Sequence, residues 1–116
     1  MKRSPLNPVS AKRRAQAPQR RALRERVLSA TPLCVANITD LCGHVATDVH
    51  EVKTRGRGGS ILDDANCIAL CRPCHSFITT NPEWATTNGF MVHAWDHDMN
   101  EAAELRRQWA HGGRRN

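Results

Sequence analysis

The sequence predicts a small α+β domain held together by zinc. Three observations lead there. Helical patterning near both ends flanks short apolar, strand-like runs in the middle. Four cysteines fall into two pairs, Cys34/Cys42 and Cys71/Cys74, and thiolate pairs are what a tetrahedral structural zinc takes. The chain has 116 residues with only 4% aromatics, little for a large core, so a metal staple meets a need.

Residues 1–17 read as a loosely held basic arm, punctuated by Pro5 and Pro8 and carrying the cluster Lys12, Arg13, Arg14. A domain over residues 18–111 follows, with a core at about 34–80, and residues 112–116 form a frayed tail. Pro18 to Ser29 carries a helical signal, with Leu23, Val27 and Leu28 toward one side. Arg20, Arg21, Arg24 and Arg26 occupy much of the rest and are free for phosphate. Cys42-Gly43-His44 resembles the tight turn of a zinc knuckle. Ala46 to Lys53 alternates as a strand does, with Val52 on the face of His50. Residues 55–60 are a glycine-rich loop, and Ile68 to Leu70 a short apolar strand. A helix starts near Arg72-Pro73 and runs to about Thr80, where Asn81-Pro82 breaks it. Phe90 to Trp95 reads as a strand, and Asp98 to Ala110 as a final helix with Asp98 as its cap.

Charge is polarised along the chain. Residues 1–28 hold nine Lys/Arg against one acid, and residues 29–116 hold eight against ten, so the formal charge of +6 belongs to the N-terminal part. Such a segment suits a polyanion, or is merely a solvated tail. There is no signal-peptide h-region and no run long enough to span a bilayer, which predicts a cytoplasmic chain without a membrane partner. The five cysteines are then reduced, and metal binding is favoured over disulfides. Cys67, the odd one, reads as core, and His44 is a rival fourth ligand.

Chemistry concentrates between His50 and His75. An imidazole stands beside a carboxylate in His50-Glu51, and Arg55-Gly56-Arg57-Gly58-Gly59 follows. Cys71-Arg72-Pro73-Cys74-His75 then closes the stretch. Metal ligands, a candidate base and phosphate-binding groups so close together point to a metal-dependent site acting on a phosphate backbone. Each part has a plainer reading: a hairpin loop, a turn asparagine at Asn66, or a histidine replacing one zinc cysteine. Asp48, Asp63 and Asp64 read as caps and turn formers, and the three tryptophans as core.

At His50-Glu51, the Arg/Gly loop ending in Gly58-Gly59, Asn66, and Leu70-Cys71-Arg72-Pro73-Cys74-His75, the chain resembles the HNH endonuclease family. The match covers roughly residues 34–80, and the basic arm with Asn81-Pro82-Glu83-Trp84 is similar to small phage-encoded members. The resemblance implies a ββα-metal (His-Me finger) fold: a hairpin and a helix gripping one divalent ion, here with flanking helices and a separate four-cysteine Zn2+ site. It implies phosphodiester hydrolysis in DNA, as a nick or a double-strand cut, and phage packaging proteins as possible partners. His50 and His75 would bind a catalytic Mg2+, Mn2+ or other divalent ion, and Asn66 would orient the base. Arg55, Arg57 and Arg72 would hold phosphates, as would Lys12, Arg13, Arg14, Arg20, Arg21 and Arg24 from the N-terminal segment.

Two departures stand out. The family's second pair position, normally a histidine base, is Glu51. Glu51 is then the base, or His50 is the base with Glu51 in support, or activity is weakened or lost. Thr79 stands where many relatives have another metal-binding histidine, which favours a more hydrated Mg or Mn. The contrasting expectation is a non-catalytic zinc module that binds nucleic acid or a packaging partner.

Overall fold

The computed structural model describes residues 8–110. Residues 1–7 of the expected arm and the tail after Ala110 lie outside the described residues. Four helices and a two-stranded antiparallel sheet form an α+β domain. In chain order they are α1 (Pro8–Ala30), β1 (Asp48–Glu51), β2 (Cys67–Leu70), α2 (Arg72–Thr80), α3 (Pro82–Thr87) and α4 (Asn100–Gln108). Among the described residues, no helix is long and apolar enough to cross a membrane.

The first helix corrects the sequence reading. Residues 8–17, expected as loose arm, are helical, and Pro18 lies inside α1 rather than at its start. An interior proline costs about 3 kcal/mol through a lost hydrogen bond and a clash. Ala11, Lys12, Arg13, Arg14, Ala15, Gln16 and Ala17 before it are strong helix formers, and the second half of the helix is docked. Leu23 is fully buried against Val49 and Cys67, with Val27 and Leu28 beside it.

The strand pair sets which side chains share a face. Asp48 pairs with Leu70, Val49 with Ala69, His50 with Ile68, and Glu51 with Cys67. Alternation along β1 turns Asp48 and His50 to one side of the sheet and Val49 and Glu51 to the other. α1 covers the Val49 side. α2 covers the opposite side, where Leu70 joins Ile78, Phe90 and Trp109 in the main core. Trp84 stacks on Phe90 and meets Phe77 and Trp109 edge-on, and the Trp109 indole donates to the carbonyl of Ala36 at 2.6 Å. Trp95, expected in this core, is instead 71% exposed.

No strand forms at Phe90 to Trp95. The amides of Phe90 and Met91 turn back to the Ala85 carbonyl, and that of His93 donates to the Asp96 carboxylate. Only Val92 reaches the sheet side, donating to Val52 O at 3.2 Å. The N–H groups a ladder requires are thus satisfied locally.

The glycine-rich loop is closed by Asn66. Its amide oxygen accepts from Lys53 N at 2.7 Å, and its amide nitrogen donates to Lys53 O and Ser60 O at 2.8 and 2.9 Å. The clip works only because Gly59 has no side chain: a Cβ there would lie 1.7 Å from Lys53 O.

Candidate metal centres

The sulfur centre is built from a knuckle and a helix start. One ligand atom each from Cys34, Cys42, Cys71 and Cys74 lie within 4.8 Å of one another. Thiolates each 2.3 Å from one tetrahedral ion stand about 3.8 Å apart. The Cys71 and Cys42 sulfurs are 3.8 Å apart. Left-handed backbone at His44 (φ 71°) folds the knuckle so that its amides face sulfur. Gly43 N–H donates to Cys71 Sγ at 3.3 Å and His44 N–H to Cys42 Sγ at 3.2 Å. Cys71 also caps α2, accepting from Cys74 N–H at 3.4 Å.

Burial pushes the Cys71 thiol up, but these amide donors and the neighbouring thiols bring it down to about 7. Burial raises Cys42 and Cys74. Such wiring favours a thiolate at Cys71 and suits a soft, four-sulfur structural ion such as zinc. His44 is exposed and contributes its backbone, so the rival ligand is displaced by the fourth sulfur. Cys67 lies apart, buried beneath Arg20, as a core residue does.

The second centre lies between β1 and α2. The rings of His50 and His75 meet edge-on with centroids 5.2 Å apart. His50 is 3% exposed, and its Nε2 sits 2.7 Å from the Phe90 carbonyl oxygen. That oxygen can only accept, so Nε2 carries the proton and Nδ1 is left as the lone-pair nitrogen. Burial holds the imidazole neutral and lowers its pKa to about 4. His75 Nδ1 is 2.8 Å from Asp48 Oδ2. A carboxylate accepts, so His75 donates from Nδ1, and Nε2 lies outside that bond.

Asp48 was missed as anything but a cap. It is a buried carboxylate (6% exposed) that also takes Thr47 Oγ1 at 3.0 Å and Arg72 Nε at 3.0 Å. Burial pushes its pKa up, yet the bonds from His75 and Thr47 and the charge of Arg72 together hold it below its ordinary value. The available signal was the Asp48-x-His50 spacing, which puts both side chains on one face of a strand.

Several expected residues lie elsewhere. Glu51 points to the α1 side and pairs with Arg20 at 2.8 Å, away from the imidazoles. Asn66 is fully used by the loop and makes no bond to His50. Arg20 also donates to Ile61 O, which makes it a clamp rather than a free cation. Arg57 donates to Val92 O, and Arg24 to Thr47 O. Lys12, Arg13, Arg14 and Arg21 are exposed on α1, and Arg55 lines a groove with Lys12. Asp48, His50 and His75 thus form a polar cluster, whereas among the described residues only the four cysteines bring three or more ligand atoms close enough to share one ion. Comparison of the chain with protein-family models, curated proteins and solved structures finds no match.

Proposed function

We propose that this protein is a metal-dependent endonuclease hydrolysing phosphodiester bonds in DNA, of the HNH type its motifs resemble. One observation carries the reading. Two imidazoles 5.2 Å apart each have one ring nitrogen tied to an acceptor, which leaves the second nitrogen of each outside that bond. A structural histidine pair has no use for two such open nitrogens; a ligand and a base do.

His75 would hold the ion through Nε2, with Asp48 behind it fixing the ring. His50 would accept a proton at Nδ1 from the attacking water, its ring held by the Phe90 carbonyl. A bound divalent ion would offset charge on the scissile phosphate and stabilise the leaving oxygen. Exposed Arg72, paired with Asp48 through Nε, would meet a phosphate with the rest of its guanidinium. Glu51 has no part in this account, and Asn66 acts by shaping the loop. The four-sulfur site serves as the staple, with zinc as its ion.

The test is plasmid nicking. Supercoiled DNA is incubated with the protein and Mg, Mn or Ni, beside His75→Ala, with zinc content measured on both. Wild type cuts and the variant does not, while both retain zinc. Intact plasmid with wild type under every metal rejects the enzyme and leaves a zinc-bound nucleic-acid-binding module.

A further inference from the structure

Trp95 is an indole held out into solvent, 71% exposed. It sits in the turn His93–Asp96, which is locked from three directions. Asp96 N donates to His93 O, the Asp96 carboxylate accepts from His93 N, and Lys53 Nζ donates to Asp96 O at 2.6 Å. The His93 ring lies under the indole, nearly parallel, with centroids 4.3 Å apart and planes 12° apart. One face of the indole is thus backed, and the residue as a whole stays open to solvent.

This platform is joined to the imidazole centre. Arg57, on the loop leaving β1, donates to Val92 O at 2.8 Å, and Phe90 O is the partner of His50. His93 and Arg57 also line one cleft of about 630 Å³, which Glu83 lines as well. A rigid, backed aromatic plane costs little entropy to use and takes a flat π partner best. Arg57, which lines the same cleft as the backing His93, would meet the phosphate that accompanies such a ring.

We propose that Trp95, backed by His93, is a stacking platform for an unpaired nucleobase of a strand held at the imidazole centre. The nucleic-acid identity of the ligand rests on the function proposed above, but stacking requires no catalytic ion. The two ideas therefore fail separately.

The experiment titrates the full chain into a fluorescein-labelled ten-residue oligothymidylate, without added divalent ion, reading the affinity of wild type and variants from the label's anisotropy and following tryptophan emission in the wild type. Trp109 is buried and Trp84 half-buried, so Trp95 dominates solvent-sensitive quenching. Binding quenches wild-type emission. Trp95→Ala weakens binding roughly fivefold to 100-fold, the range of one lost base stack. Trp95→Phe stays near wild type, and Trp95→Leu follows the alanine variant because it keeps apolar area without a π-face. Trp95→Ala or Trp95→Leu binding within twofold of wild type would overturn the platform, as would oligothymidylate that leaves wild-type emission unchanged. Quenching by the oligonucleotide with no plasmid cleavage under any metal would keep the platform and remove the nuclease.

Discussion

The two faces of β1 treat their polar residues in opposite ways. On the α1 face, Glu51 meets Arg20 at 2.8 Å, and Arg20 is tied further to Ile61 O. On the α2 face, His50 and His75 each commit one ring nitrogen to an acceptor and leave the other outside that bond. The first arrangement closes its hydrogen bonds and fastens a helix. The second stops one bond short on each ring, and that remainder is what a ligand or a proton can use. Four residues of strand thus separate a closed polar pairing from an open one by alternation alone.

The largest perturbation strikes both faces together. Cys71→Ser removes a sulfur and leaves a hydroxyl that can still cap α2, so it isolates the loss of the metal ligand. A structural zinc contributes about 10–16 kcal/mol to folding in small peptides, more than most domains of this size have in reserve. The expected outcome is loss of bound zinc and of a cooperative melt, by metal analysis and circular dichroism. A folded, zinc-replete variant would mean the sulfurs do not hold α2 against the sheet.

Acid separates the faces next. His50 has a folded pKa of about 4 against an ordinary 6.5, so between those values the unfolded chain binds the extra proton. Stability is therefore lost as pH falls from 6.5 toward 4, by about 3 kcal/mol. His50→Gln, which can still donate to Phe90 O, removes that slope. Melting midpoints of both proteins across the range check it, and parallel curves would place His50 in a wetter setting.

Asp48→Asn tests the support behind His75. Loss of a carboxylate behind a ligating imidazole weakens metal affinity about 10- to 100-fold. Calorimetric Mn titration on zinc-loaded protein reads it, and unchanged affinity would reduce Asp48 to a buried ion-pair partner. The smallest effect falls on the α1 face. Arg20 and Glu51 are about a fifth and a quarter exposed, so Arg20→Ala costs about 1 kcal/mol of stability. Glu51→Gln keeps cutting within about threefold, under 0.7 kcal/mol of barrier. Abolished cutting by Glu51→Gln would break the division between faces.

Much of this was legible in the chain. Cys71-x-x-Cys74 before an apolar run marks both a ligand pair and a helix start, because the thiol that binds metal can also cap. His50 and His75 were marked as partners by their types and their flanks. Asp48 was hidden because its neighbours in sequence, Thr47 and Val49, give no hint that α2 returns to meet it. Glu51 beside His50 looked like a pair in the sequence, although strand alternation already separates adjacent residues. Pro18 misled because a proline with good helix formers on both sides can be absorbed when one half of the helix is docked. Trp95 looked like core because nothing local says that His93 and Asp96 lock a turn outward.

The loop Arg55–Gly59 has unequal freedoms at its glycines. A side chain at Gly56 meets nothing within 4 Å, whereas Gly58 needs its φ of 94°, and Gly59 has the Lys53 oxygen where a methyl would sit. Anyone diversifying this loop to retarget the protein can vary position 56 freely and try asparagine at 58. Position 59 admits no replacement, because it would push the Lys53 peptide off Asn66 and slacken the end of the strand that bears His50.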